Sequence, residues 1–391
     1  MERRWELKRV VTLVATFGAL LFAPLPAASA AEDEVKIGAI FDLSGPTADS
    51  GTPYAEGVLD YADWHNAKTD SGRKVAVSWQ DFGSKPEVAG ELYGKFVSEG
   101  AVAFIGWASA DTEALRPRAN ADEIPFMSAS YAETLTDPKA TPYNFVDGTT
   151  YSDQMRITLG LIAKQEAGKH AEVAVFHHDS PFGTSPVEDG NQYIAEKQLD
   201  LGYKAYPMPK GATDYMAQLE QAKGQGATYI IVQNVSSPAA TLARNLVDGK
   251  YGMRLICLNW CGSELFVKKA GEAAENVAAV MPFAPPSANA PGAQEMKNYL
   301  EARGKSLDDK GVHYVQGWYT MAAMVTAAVS ASEPKGPAIR QRLESSDGVD
   351  TGGVATGPIR FGTDSHKGMK GARLFQVKNS RWEAITDALT P

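Results

Sequence analysis

VKIGAIFDLSGPTADSG, residues 35–51, decides the fold. Apart from Lys36, the run from Val35 to Phe41 is apolar or glycine, as in a strand buried on both faces. Ser44-Gly45-Pro46 turns the chain, and Tyr54, Val58, Tyr61 and Ala62 then recur at helical spacing over residues 52–66. The same unit repeats outward. KVAVSWQDF (74–82) is a strand, 85–100 a helix with Pro86 near its start and Gly100 at its stop, and AVAFIGW (101–107) and IPFMSAS (124–130) are strands around a short helix restricted by Pro117.

The rhythm restarts after PYNFVDGTTYSDQ (142–154). Strands EVAVFHH (172–178), YKAYPM (203–208), TYIIVQN (228–234) and RLICLN (254–259) alternate with helices expected over 186–201, 215–223 and 239–248. Alternation of this kind implies a parallel sheet with helices on both faces. Two such runs imply an α/β protein of two doubly wound lobes. A further strand from Val277 enters a Pro-rich segment, and the helices expected over 293–303 and 314–331 have no strands of their own, so they return to cover the first lobe. The tail from Gly357 reads as antiparallel strands with a Gly-rich turn.

The first thirty residues differ from the rest. Arg3, Arg4, Lys8 and Arg9 precede an apolar run from Val10 to Leu25, and Ala28-Ser29-Ala30 follows, the pattern of a signal peptide cleaved after Ala30. Pro24 and Pro26 break the run, which argues against a retained anchor, and no cysteine stands near the cleavage point to accept a lipid. The expected location is therefore the periplasm. The whole chain of 391 residues carries a net charge of -9; without residues 1–30 it has 34 basic and 45 acidic residues, a net -11. Such an acidic surface disfavours nucleic acid and anionic lipid as partners. Cys257 and Cys261 lie four apart; they form either a local disulfide, if the intervening Leu-Asn-Trp turns, or two buried thiols.

Motifs for catalysis are missing from the sequence. Gly183-Thr184-Ser185-Pro186-Val187 lacks the second glycine of a nucleophile elbow, Gly304-Lys305-Ser306 lacks the start of a phosphate loop, and there is neither G-x-G-x-x-G after a strand nor H-E-x-x-H. His178, Asp179 and Ser180 are sequence neighbours, whereas triad members come from separate elements. No cofactor or metal is expected. The strand ends share a different chemistry. In open α/β sheets ligands bind beyond the carboxyl ends of the strands, where this chain places Trp107-Ala108-Ser109, Ser128-Ala129-Ser130-Tyr131, Ser180-Pro181-Phe182, Asn234-Val235-Ser236 and Asn259-Trp260. Small hydroxyls and amides stand beside large aromatics in both halves.

These segments resemble the periplasmic substrate-binding proteins of ABC transporters, in the type I group typified by the leucine/isoleucine/valine-binding protein. The resemblance rests on residues 35–57, on VSEGAVAFIGWASADTEAL (97–115), IPFMSASYAETLTD (124–137), HDSPFGTSPVEDG (178–190), AENV (274–277) and GPIRFGTDSHKG (357–368), in order and at matching spacing. It implies two Rossmann-like lobes, residues 31–146 plus 283–350 and residues 147–282 plus 351–391, with hinges near Phe145, Pro282 and Thr351. It further implies that Ser109, Ser130 and Ala132 hold a ligand carboxylate, that Phe182 closes over the ligand, and that Ser236 and Ser50 are further contacts. Asn259 falls where amino-acid binders keep an acid for the ligand ammonium, and Trp107, Tyr131 and Trp260 are expected to line a flat apolar pocket. A buried ammonium needs a charge partner, so the amide points to an amine-free carboxylate or an amide as readily as to an amino acid. The expected protein is a monomeric, non-enzymatic binder that serves an ABC permease. Its rivals are a ligand sensor of the same fold and a secreted hydrolase.

Overall fold

The computed structural model describes residues 34–68 and 72–391; the expected signal peptide lies outside them. The first sheet contains β1 (Glu34–Phe41), β2 (Lys74–Asp81), β3 (Ala103–Gly106), β4 (Phe126–Ser128) and β5 (Asn144–Phe145), all parallel, in the order β2-β1-β3-β4-β5. The second contains β6 (Ala171–His178), β7 (Leu201–Met208), β8 (Ala227–Gln233), β9 (Arg254–Cys257) and β10 (Ala278–Met281), extended by the antiparallel β11 (Arg373–Lys378) and β12 (Arg381–Ala384). Its order is β7-β6-β8-β9-β10-β11-β12. Numbered from its own first strand, each lobe winds 2-1-3-4-5, so each has a topological switch point between its first and third strands, where a ligand crevice opens.

Helices α1 (Ala48–Lys68), α2 (Pro86–Ser98) and α3 (Ser109–Ala121) cover the first sheet. The second carries α4 (Tyr151–Glu166), α5 (Pro181–Thr184), α6 (Val187–Lys197), α7 (Met216–Gly224), α8 (Ser236–Asp248) and α9 (Glu264–Ala270). After it, α10 (Gln294–Glu301), α11 (Leu307–Ser330) and α12 (Gly336–Ser345) return, and α11 packs on α1 and on β2–β4 as the strandless pattern required. The α1–α11 crossing is close for a reason. A Cβ at Gly57 would lie 2.1 Å from the Tyr314 carbonyl oxygen, and one at Gly317 would lie 2.0 Å from that of Tyr54. Each helix therefore offers a glycine to the other's backbone, which brings His313 and Gln316 of α11 down to the space between the lobes.

Several boundaries differ from the sequence expectation. The helix expected to reach residue 201 ends at Lys197, because Gln198 adopts a left-handed φ of 51° and Leu201 already starts β7. Helix α8 begins at Ser236, not at Ala239, since Pro238 falls in the first turn, where its missing N–H costs nothing. In α11, Gly311 breaks the helix with φ 75° and ψ -176°, and α4, α5, α9 and α12 were not anticipated. The β11–β12 hairpin turns on Asn379 and Ser380, both at positive φ, not on glycine. Cys257 and Cys261 are joined by a disulfide, their Cα atoms 5.5 Å apart across a 3-10 turn at Asn259–Cys261.

Candidate functional site

The two switch points face each other. From the first lobe, the ends of β1, β3 and β4 present Thr47, Trp107, Ala108, Ser109 and Ala129; from the second come Phe182, Val235 and Trp260, with Tyr151 at the start of α4. The cavity left between them is about 20 Å³, room for about one water. The Ser109 and Ser130 hydroxyl oxygens lie 2.6 Å apart. Trp107 Nε1 donates to Thr47 Oγ1 at 2.8 Å, and the Thr47 hydroxyl in turn donates to Asp42.

Trp260 is the centre of the aromatic wall. Carried by the second lobe, its ring lies 5.2 Å from Trp107, 6.2 Å from Tyr54, 5.7 Å from Tyr131 and 5.0 Å from His313, all on first-lobe elements. Its Nε1 donates to the Tyr151 hydroxyl at 3.0 Å, and that hydroxyl donates to the Ala129 carbonyl at 3.2 Å. Burial pushes the Tyr151 hydroxyl far above its ordinary pKa, so it stays neutral. The apolar cluster of the first lobe thus continues unbroken into Phe182, Val235 and Trp260 of the second.

Of the candidates read from sequence, Trp107, Ser109, Phe182 and Trp260 line the cavity, Ser130 stands one hydrogen bond behind it and Tyr131 belongs to the aromatic wall. The others turn elsewhere. Asn259 donates its N–H to Gln154 Oε1 at 2.9 Å and accepts from Gln316 Nε2 at 3.0 Å, while its Nδ2 is buried without a partner. Ser236 pairs with Ser263 at 2.6 Å, Ser50 with Asp49 at 3.4 Å, and Ala132 is buried ahead of the Glu133–Leu135 turn. Sequence reasoning missed Thr47 and Tyr151, and it placed Val235 at a strand end without singling it out. Tyr151 follows Thr150, whose hydroxyl accepts from the Asp153 N–H and caps α4, and that capping signal placed directly after the first crossing could have marked it.

Charged groups sit around the cavity and not in its lining. Asp111 accepts from the Ala108 N–H at 3.0 Å; its other oxygen is buried without a partner, and burial pushes its carboxyl up to about 7. Asp147 accepts from the Thr320 hydroxyl at 2.6 Å and is likewise raised by burial to about 7. At the margin two carboxylates cross between lobes. Asp49 of α1 accepts from the N–H and hydroxyl of Ser237, at 2.9 and 2.6 Å, and Glu264 of α9 accepts from the Val312 N–H at 2.8 Å. Among the described residues, no group of three or more His, Cys, Asp or Glu side chains is placed to hold a metal ion. His178 Nδ1 meets Ser180 Oγ at 2.7 Å inside one turn, a local contact.

Residues 34–381 match the family model described as periplasmic binding protein. The chain belongs to that family. A Leu/Ile/Val-binding protein homolog of Brucella suis biovar 1 (strain 1330) is 22% identical over 240 residues, which is 59% of either chain. A branched chain amino acid ABC transporter protein of Thermus thermophilus, solved with bound valine, superposes with a TM-score of 0.85 at 25% identity, covering 92% of this chain and 97% of the other. The substrate binding protein of a Streptococcus pneumoniae branched-chain amino acid transporter, in complex with isoleucine, gives 0.76 at 21% identity, over 92% and 100%. A fatty acid ABC transporter substrate-binding protein of Thermomonospora curvata gives 0.79 at 18%, over 92% and 93%. The type I, two-lobed architecture read from the sequence is therefore the architecture of the molecule.

Proposed function

We propose that this binding protein works outside the cytoplasm, captures a small polar or carboxylate-bearing ligand (an amino acid, an amide or an aromatic acid) between its lobes, and delivers it as a monomer to an ABC import permease without chemical turnover. The observation that carries this is the joint lining of one cavity by the switch points of both lobes, with Ser109 and Trp107 on one side and Phe182, Val235 and Trp260 on the other. A ligand there touches both lobes, so it favours the closed arrangement by its differential affinity. The hinges near Phe145, Pro282 and Thr351 are consistent with crossing segments that pair with one another: the Val146 N–H bonds to the His366 carbonyl at 3.0 Å, and Phe283 bridges Ala355.

Thermal-shift screening of leucine, valine, short amides and aromatic acids tests the reading. A binder stabilises the wild type and loses at least tenfold in affinity on Ser109→Ala. Small-angle scattering shows a compact form with that ligand; an unchanged profile with a bound ligand would contradict closure.

A further inference from the structure

A second cavity, which shares no lining residue with the cleft, lies where α9, β12, the Pro286–Ala288 turn and the start of α11 meet. It holds about 410 Å³, within the usual range of small-molecule sites. Glu264 and Lys268 line it from α9, Asp308 from α11, Arg381 and Trp382 from β12, and Ser287 from the turn. Two acids and two bases thus share one cavity that joins elements of both lobes.

These charges are not spent on one another. Glu264 and Lys268 have the spacing of a helical ion pair, yet Glu264 turns one oxygen to the Val312 N–H and keeps the other buried without a partner. Among the described residues, the side chains of Lys268, Arg381 and Asp308 enter no ion pair or hydrogen bond. Trp382, only 2% exposed, also lines the cavity, and its Nε1 is buried with no acceptor. An N–H left unpaired inside a protein costs about 1–3 kcal/mol, which an acceptor brought by a ligand would remove.

The balance of charge decides the class of that ligand. A simple anion held by Lys268 and Arg381 would stand beside Glu264 and Asp308, and a simple cation held by the acids would stand beside the two bases. A molecule charged at both ends meets a partner at each. Four residues, about 6 Å along α9, separate Glu264 from Lys268, which suits a short chain with its carboxylate and ammonium apart.

We propose that this cavity is a second binding site, for a small zwitterion whose carboxylate lies with Lys268, Arg381 and the Trp382 N–H and whose ammonium lies with Asp308 and Glu264. It goes beyond the cleft reading and does not depend on what the cleft holds. Titration calorimetry on the exported protein compares 4-aminobutyrate with butyrate and butylammonium. 4-Aminobutyrate binds at least tenfold more tightly than either, and Arg381→Gln and Asp308→Asn each weaken it at least tenfold. With 15N at the tryptophan indoles, the Trp382 N–H resonance, assigned by its loss in Trp382→Phe, shifts as 4-aminobutyrate is added. Butyrate or butylammonium binding as tight as that of 4-aminobutyrate overturns the inference, as does an unmoved Trp382 resonance, an unchanged affinity in Arg381→Gln or Asp308→Asn, or no binding at all. A loss in Ser109→Ala with none in Arg381→Gln would place 4-aminobutyrate in the cleft, which overturns this inference and supports the cleft reading.

Discussion

The interior of the cleft and its margin are built from opposite materials. Inside, Trp260 enters a wall of Trp107, Tyr54 and Tyr131, and the contacts are rings and hydroxyls. At the margin, Asp49 reaches the start of α8 and Glu264 the start of the main segment of α11, so each lobe sends a carboxylate to free N–H groups of the other. The helix ends explain the pairing, because the first N–H groups of a helix have no partner within it and favour negative charge. Gly311 is part of the device, since a Cβ there would lie 2.5 Å from Glu264 Oε2. On the proposed reading the interior is the part that meets a ligand, whereas the margin sets how firmly the lobes stay together.

The largest expected effect lies inside. Trp260→Ala removes a ring packed across both lobes and costs about 3–5 kcal/mol by the usual range for a large aromatic, read as a lower urea midpoint; an unmoved midpoint would mean the aromatic wall does not contribute to stability. Next comes the margin. Asp49→Ala removes two hydrogen bonds to a charged acceptor, worth about 1.5–3 kcal/mol, and therefore weakens ligand binding by roughly tenfold to a hundredfold. Because those bonds join the lobes and not the interior of either, urea unfolding changes less than small-angle scattering, which shows a larger radius of gyration. Gly311→Ala acts in the same direction through Glu264. If both variants destabilise the fold without opening it, the margin is structural and the contrast with the interior fails.

Buried strands and the switch points were legible because their signal is local. Val35–Phe41 carries its own both-face burial, and the rule that ligands gather beyond strand ends pointed to Trp107, Ser109 and Phe182, which line the cavity between the sheets. What escaped depends on partners far along the chain or on one backbone torsion. The hold that Gln316, 57 positions away, takes on the Asn259 side chain could not be read from the sequence around Asn259. The end of α6 rests on a left-handed Gln198 within a segment whose composition continues the helical pattern. Ser236-Ser237-Pro238 reads as a loop because these residues favour turns, yet it is the first turn of α8 and supplies the N–H that Asp49 takes.

The smallest effect concerns Asp147, beside the first crossing and behind the aromatic wall. An ordinary aspartate titrates near 3.9, whereas burial raises this one to about 7 in the folded protein. The folded state therefore holds the proton more tightly than the unfolded chain. By linkage the stabilising contribution is complete below about 4 and is lost as the pH rises through about 7. Asp147→Asn keeps an acceptor for the Thr320 hydroxyl but cannot ionise, so it escapes that loss. The variant should gain on the wild type as the pH is raised from 6 to 8, by on the order of 1 kcal/mol, as followed by thermal unfolding at both pH values. A difference between the two proteins that stays constant over that interval would show that Asp147 is already charged in the folded state, and that its environment behind the aromatic wall is as polar as the margin.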